Sequence, residues 1–110
     1  MTDTDRRALQ AYLNRPLDDL MAELVLYDPA SRGPAEAWNK IAGPVRQRLC
    51  VEWGWCEVRQ DQRWDDDLAL ALSVVAALSE PVLHLAIEAD LLLIAAIVVK
   101  RGLDVFCGCP

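Results

Sequence analysis

The pattern of hydrophobic positions along this chain changes near residue 67. Before that point, apolar residues recur every three or four positions, as they do on one face of an amphipathic helix. After it, residues 68–110 are apolar on nearly every side and carry only six of the 28 charged side chains. A helix without a polar face must be surrounded by other protein. The pattern therefore predicts that helices of the N-terminal part cover an apolar C-terminal part.

Residues 1–60 are predicted to form three amphipathic helices. Their apolar stripes are, in chain order, Leu9, Tyr12 and Leu13; Leu17, Leu20, Met21, Leu24 and Tyr27; and Trp38, Ile41, Val45, Leu49, Trp53 and Cys56. Pro44 lies within the third stripe, so we expect either a kink or a stop and restart of that helix. Gly54 is expected to end it, and residues 57–63 are expected to form a polar connector.

Residues 64–102 are predicted to form an apolar αα-hairpin. Its first helix covers residues 66–79, a tight turn follows at Ser79-Glu80-Pro81, and its second helix runs from Pro81 to Arg101. Lys100 and Arg101 followed by Gly102 are typical of a helix C-terminus. Residues 103–110 are expected to be a tail. The predicted fold is thus all-α, one domain over residues 1–110, a small bundle of about five helices with the hairpin at its centre.

The longest wholly apolar run, Leu91–Val99, is too short to cross a membrane. As a helix it covers roughly 14 Å, against a hydrocarbon core of about 30 Å, and His84, Glu88 and Asp90 precede it. We therefore expect a buried core or an interface. Because one small domain covers two apolar helices with difficulty, we also expect a homo-oligomer or a hetero-complex.

Charge and cysteine content narrow the classes of partner and compartment. The net charge of −6 and the isoelectric point near 4.6 argue against binding to nucleic acid or to an anionic membrane surface. The first twelve residues contain no apolar leader, and four cysteines without one suggest thiols in a reducing compartment. The sequence therefore predicts a cytoplasmic protein.

The four cysteines are the first candidates for chemistry. Cys50, Cys56, Cys107 and Cys109 could supply four thiolates to a structural zinc ion, but their C-x₅-C and C-x-C spacings depart from the usual zinc motifs. Convergence requires the third helix to end at Gly54 and the C-terminal cysteines to fold back. The favoured interpretation is small buried hydrophobic residues; a metal site and thiol or disulfide chemistry are the alternatives.

Two charged groups are weaker candidates. His84 and Glu88 are four residues apart on the predicted second hairpin helix, with Asp90 nearby, which suggests an acid–base pair or half of a metal site. The favoured interpretation is a polar stripe, since the chain has one histidine. Residues 65–67 are three consecutive aspartates that could bind Mg²⁺ or Ca²⁺, but a charged helix N-terminus is favoured.

The four tryptophans divide into two pairs. Trp38 and Trp53 fit the core stripe of the third helix. Trp55 and Trp64 flank the polar connector and are expected to be partly exposed. Core anchoring is the simpler interpretation of all four, but tryptophan is also enriched in binding hot spots. Trp55 and Trp64 are therefore the predicted partner-binding residues.

The sequence contains no motif of a catalytic or nucleotide-binding site, so we expect neither an enzyme nor a cofactor. It favours a small cytoplasmic helical protein–protein interaction module, such as an adaptor, an assembly subunit or a regulatory subunit. Two alternatives remain open. One is a small domain stabilised by metal at the four cysteines, and the other is a membrane-perturbing effector that uses the hairpin of residues 68–99.

Overall fold

The computed structural model of the chain describes residues 2–61, 64 and 66–110. This part is all-helical, which confirms the predicted fold class, but it contains more helices than the five expected. They are α1 (Asp3–Leu13), α2 (Leu17–Val25), α3 (Pro34–Arg46), a π-helical segment (Gln47–Glu52), α4 (Trp55–Asp61), α5 (Asp67–Ser79), α6 (Leu91–Arg101) and α7 (Leu103–Cys107).

The first two helices bury the stripes that the spacing predicts. Leu9 and Leu13 of α1 are buried, and so are Leu20, Met21 and Leu24 of α2. A capping box begins α1, in which the Thr2 hydroxyl accepts the Asp5 backbone N–H and the Asp5 carboxylate accepts the Thr2 N–H. These reciprocal bonds satisfy two donors that a helix otherwise leaves without partners.

The third stripe forms a longer and less regular element than expected. Pro44 lies inside α3, which continues to Arg46, so the expected stop and restart is wrong. The chain then widens into the π-helical segment, where the Trp53 N–H donates to the Arg48 carbonyl five residues earlier at 2.8 Å. Gly54 ends this element with φ +72°, as predicted, and α4 occupies most of the expected connector. Residues 62 and 63 of that connector lie outside the described residues.

The π-helical segment buries one cation, Arg48. Only 6% of this residue is exposed. Its Nη1 donates to the carbonyls of Ala77 and Leu78 at 3.1 and 3.3 Å, and its Nε donates to Glu52 Oε1 at 3.2 Å. The last carbonyls of a helix have no partners within the helix and carry partial negative charge. Arg48 therefore caps the C-terminus of α5 from a neighbouring element.

The two C-terminal apolar helices are present, but their connection differs from the prediction. α5 covers Asp67–Ser79, close to the expected range, with Asp66 as its N-cap. Residues 80–90 form no helix, and α6 begins only at Leu91. The predicted tight turn at residues 79–81, with a helix starting at Pro81, is therefore wrong. Asp90 explains the later start, because its carboxylate accepts the Leu92 N–H at 2.9 Å and caps α6.

The core is centred on α6. Each residue from Leu93 to Val99 is at most 9% exposed, and α1, α2, α5 and α7 all pack against this helix. A single chain thus covers residues 93–99 of α6, whereas α5 keeps several half-exposed positions along its length. None of the helices in the described part of the chain has the length and apolarity needed to cross a membrane.

The predicted tail is packed against the domain. Leu103 and Phe106 of α7 are buried, and the Phe106 ring lies 5.9 Å from the Trp38 ring, centroid to centroid. The Arg46 guanidinium sits 4.7 Å from the same Phe106 centroid, at cation–π distance. These contacts hold α7 against α3, and α7 also packs against α4.

Candidate functional site

All four cysteines are joined in disulfides, so the expectation of free thiols is wrong. Cys50 pairs with Cys107 and Cys56 pairs with Cys109, with Cα–Cα distances of 5.3 and 5.4 Å. The convergence that a metal site would need does occur, since Gly54 ends the helix and α7 folds back. A disulfide sulfur carries no thiolate charge for zinc, however, and the described residues contain no group of side chains suited to a metal ion. The structure therefore disagrees with a Cys₄ metal centre.

The predicted partner-binding tryptophans belong to one aromatic cluster with Trp53. The Trp55–Trp64, Trp53–Trp55 and Trp53–Trp64 centroid distances are 5.1, 5.6 and 6.2 Å. Trp55 is only 6% exposed, so its expected partial exposure is wrong. Its indole N–H donates to Asp104 Oδ1 at 2.9 Å, while that of the half-buried Trp64 donates to Ser73 Oγ at 3.0 Å. These contacts tie α4 to α7 and the following segment to α5, and a role in partner binding stays a prediction.

The weaker candidates lie at two places in the fold. His84 and Glu88 lie on the non-helical segment and are exposed, so the helical pair is wrong. Of the three aspartates, Asp65 lies outside the described residues. Asp66 caps α5 by accepting the Ala69 N–H at 2.7 Å, which agrees with a charged helix N-terminus. His84, Glu88 and Asp90 line one surface groove, whereas Asp66 lies at the start of α5.

A feature that the sequence analysis did not identify is a groove along the connection between α5 and α6. We call residues 82–89 the edge segment. The groove has a volume of about 690 Å³ and opens to solvent. Its lining includes Tyr27, Val82, Leu83, Leu85, Glu88 and Asp90. It combines an apolar floor with a polar end, the usual composition of a binding site.

The edge segment alternates in exposure like a β-strand. Its even-numbered residues, Val82, His84, Ala86 and Glu88, are exposed, whereas its odd-numbered residues are half-buried or, at Ile87, buried. A period of two is typical of an extended chain with one face on a core, and here the backbone also bends at Ala86 and Ile87. The sequence of residues 83–89, Leu-His-Leu-Ala-Ile-Glu-Ala, contains this alternation. The spacing of His84 and Glu88 favoured a helix instead.

The backbone of the edge segment is almost unused in the fold. Among hydrogen bonds between described residues, its amide groups contribute one, from the Ala89 N–H to the Ile87 carbonyl at 3.0 Å. Strand-like backbone without a neighbour is a template for pairing with another chain. The groove therefore offers backbone donors and acceptors as well as apolar surface.

The groove is acidic where it meets the start of α6. Asp90 Oδ1 caps this helix, and its Oδ2 lies 3.4 Å from the Tyr12 hydroxyl, which donates to it. Burial, and then the negative charge of Asp90, raise the pKa of both Tyr12 and Tyr27 above the ordinary value for tyrosine. Both phenols are therefore protonated at neutral pH. The described lining residues include Glu88, Asp90 and His84 but no lysine or arginine, so two carboxylates dominate the charge at this end of the groove.

No family model, curated protein or solved structure matches this chain significantly. The groove, the edge segment and the disulfides are thus the features from which a function can be inferred. The groove and the edge segment together present apolar surface and backbone groups that make few hydrogen bonds among the described residues.

Proposed function

We propose that this protein is a small, non-enzymatic helical interaction module that binds an extended segment of a partner protein along the edge segment. The observation that carries the proposal is the strand-like alternation of residues 82–89 together with their unused backbone groups. Strand addition at such an edge is a recurrent mode of peptide recognition, in which main-chain hydrogen bonds give affinity and side-chain pockets give specificity.

The position of the edge segment in the fold supports this role. Ile87 is buried and attaches the segment to the core. Glu80 and Asp90, the C-cap of α5 and the N-cap of α6, delimit its two ends. A segment held between two helices that pack together is a preorganised surface, which lowers the entropy cost of binding. Val82 is 73% exposed and provides an apolar contact at one end of the groove.

The two disulfides bear on the compartment in which the module acts. Disulfides form and persist in oxidising environments and are rare in the cytoplasm. We therefore propose an oxidising compartment in place of the cytoplasmic one expected from the sequence. The alternative of a membrane-perturbing effector has less support, because releasing α6 would require the exposure of seven residues that the fold buries.

The substitution Val82→Lys tests the proposed binding surface. Peptides would be selected from a phage-displayed random library on the oxidised protein, then measured individually by fluorescence anisotropy. We expect Val82→Lys to weaken their binding about tenfold or more, since a lysine replaces an apolar contact worth about 1.5–3 kcal/mol when fully buried. The exposure of Val82 leaves little reason for the fold to change.

Val51→Lys is the matched control for this experiment. Val51 is 65% exposed, lies on the π-helical segment and is not among the residues that line the groove. The control variant should bind the selected peptides as the unmodified protein does. Equal binding by the Val82→Lys variant, or equal losses in both variants, would contradict the proposal.

A further inference from the structure

We infer that the partner segment carries a lysine or arginine side chain, which Asp90 and Glu88 receive at the acidic end of the groove. This inference rests on the proposed function and specifies the chemistry of the partner. It concerns the side chains that surround the start of α6, whereas the proposed function concerns the backbone of the edge segment. The two can therefore fail separately.

The charges around this end of the groove favour a cation. Glu88 is exposed, and Asp90 directs one carboxylate oxygen to the helix cap and the other to Tyr12 at 3.4 Å, a long and weak hydrogen bond. Glu23, which lies close enough to affect both tyrosines, is already paired with Arg15 at 2.8 Å. A basic side chain from a partner would thus meet two carboxylates that have no cationic partner among the described residues.

Tyr27 adds an aromatic surface to the same end. It is 39% exposed and lines the groove together with Asp90. An ammonium or guanidinium group is attracted to the face of an aromatic ring as well as to a carboxylate. The combination selects a cationic side chain over a neutral polar one of similar length.

A second copy of this chain fits the edge less well. Antiparallel pairing of two edge segments about Leu85 would place Glu80 of each copy opposite Asp90 of the other. Like charges placed directly opposite each other destabilise a strand pair, and each chain carries a net charge of −6. The charge distribution therefore favours a different, basic partner over self-association.

Three peptide pools test the inference directly. All share apolar residues at alternate positions, and the intervening positions are lysine and arginine in the first pool, glutamine and serine in the second, and aspartate and glutamate in the third. We expect the basic pool to bind about fivefold more tightly than the neutral pool at low ionic strength, with the preference shrinking as salt is added. The acidic pool should bind most weakly.

Asp90→Asn isolates the contribution of the charge. Asparagine caps helices as well as aspartate does, so the start of α6 is preserved while the carboxylate is lost. We expect this variant to lose most of the preference for the basic pool. Asp66→Asn is the matched control. Asp66 is also a helix N-cap, at the start of α5, so this substitution removes the same charge at another helix. The control variant should keep the preference for the basic pool. The comparison of pools on the unmodified protein stands whether or not either variant folds.

The possible outcomes distinguish this inference from the proposed function. If the neutral pool binds as tightly as the basic pool and binding is sensitive to Val82→Lys, the inference is overturned and the proposed function stands. If no pool binds in a manner sensitive to Val82→Lys, both are overturned. A concentration-dependent dimer in light scattering that Val82→Lys abolishes would identify a second copy as the occupant and would also overturn the inference.

Discussion

Removal of either disulfide alone is expected to lower the free energy of unfolding by about 2.5 kcal/mol, and removal of both by about 7 kcal/mol. The loss from both exceeds the sum of the two single losses. The reason is that Cys50–Cys107 and Cys56–Cys109 link the same two stretches of chain, with sequence separations of 57 and 53 residues.

Either disulfide alone closes the long loop between these stretches. In the chain-entropy account, a loop of this length stabilises the fold by about 4 kcal/mol. The second disulfide then closes only the short circuit through residues 50–56 and 107–109, which contributes about 2.5 kcal/mol. Loss of the long-loop constraint therefore appears only when both are removed.

Urea denaturation of three variants measures this effect. Two variants replace one cysteine pair with serine, Cys50 with Cys107 or Cys56 with Cys109, and the third replaces all four. Small domains are stable by about 5–15 kcal/mol, so the four-serine variant is expected to be marginal or unfolded. Additive losses would contradict the account in which either disulfide closes the same long loop. A four-serine variant nearly as stable as the oxidised protein would show that noncovalent contacts suffice to hold α7.

The substitution Arg48→Met is expected to lower the free energy of unfolding by about 3 kcal/mol. Methionine fills much of the space but cannot donate to the Ala77 and Leu78 carbonyls that end α5. A buried acceptor that loses its partner costs about 1–3 kcal/mol. Arg48→Lys should recover only part of the loss. Its ammonium group can donate to a carbonyl, but it lacks the planar fork of the guanidinium group.

Arg32→Met is the control for this comparison, because Arg32 is exposed and none of its side-chain atoms bonds to another described residue. Its effect should stay within about 0.5 kcal/mol. Thermal or urea unfolding of the three variants beside the unmodified protein is sufficient. An Arg48→Met variant as stable as Arg32→Met would mean that water replaces the guanidinium at the end of α5.

The sequence predicts helices well where one periodicity dominates. The stripes of α1 and α2, the range of α5, and the glycines that end helices at residues 54 and 102 follow from spacing and capping chemistry. The 4-4-4 spacing from Ile41 to Trp53 is wider than the 3.6 residues of an α-helical turn. The structure accommodates it partly by forming the π-helical segment.

Other features required information that spacing alone does not contain. In the edge segment, two periodicities compete: His84 and Glu88 have helical spacing, while Leu83, Leu85 and Ile87 alternate. Asp90 before an apolar run was a visible helix-start signal, and it decides in favour of the later start of α6. Disulfide connectivity cannot be deduced from the positions of four cysteines. The burial of Arg48 depends on where the end of α5 packs, which is a tertiary effect.

The candidate site was therefore predicted only in part. Trp55 and Trp64 do lie together, but in an aromatic cluster that joins helices. The surface that we propose for partner binding lies instead in residues that the sequence assigned to a helix. The edge segment has no partner strand in the described part of this helical domain. Local sequence patterns therefore favoured a helix there.

Hydrogen exchange at the amides of residues 83–88 tests the central claim most directly. In the free protein these amides should exchange rapidly, whereas the amides of α6 within Leu93–Val99 should be protected by burial and helical hydrogen bonds. Addition of a peptide from the basic pool should slow exchange at residues 83–88 specifically. Slow exchange there in the free protein, or protection by the peptide only elsewhere, would contradict the account.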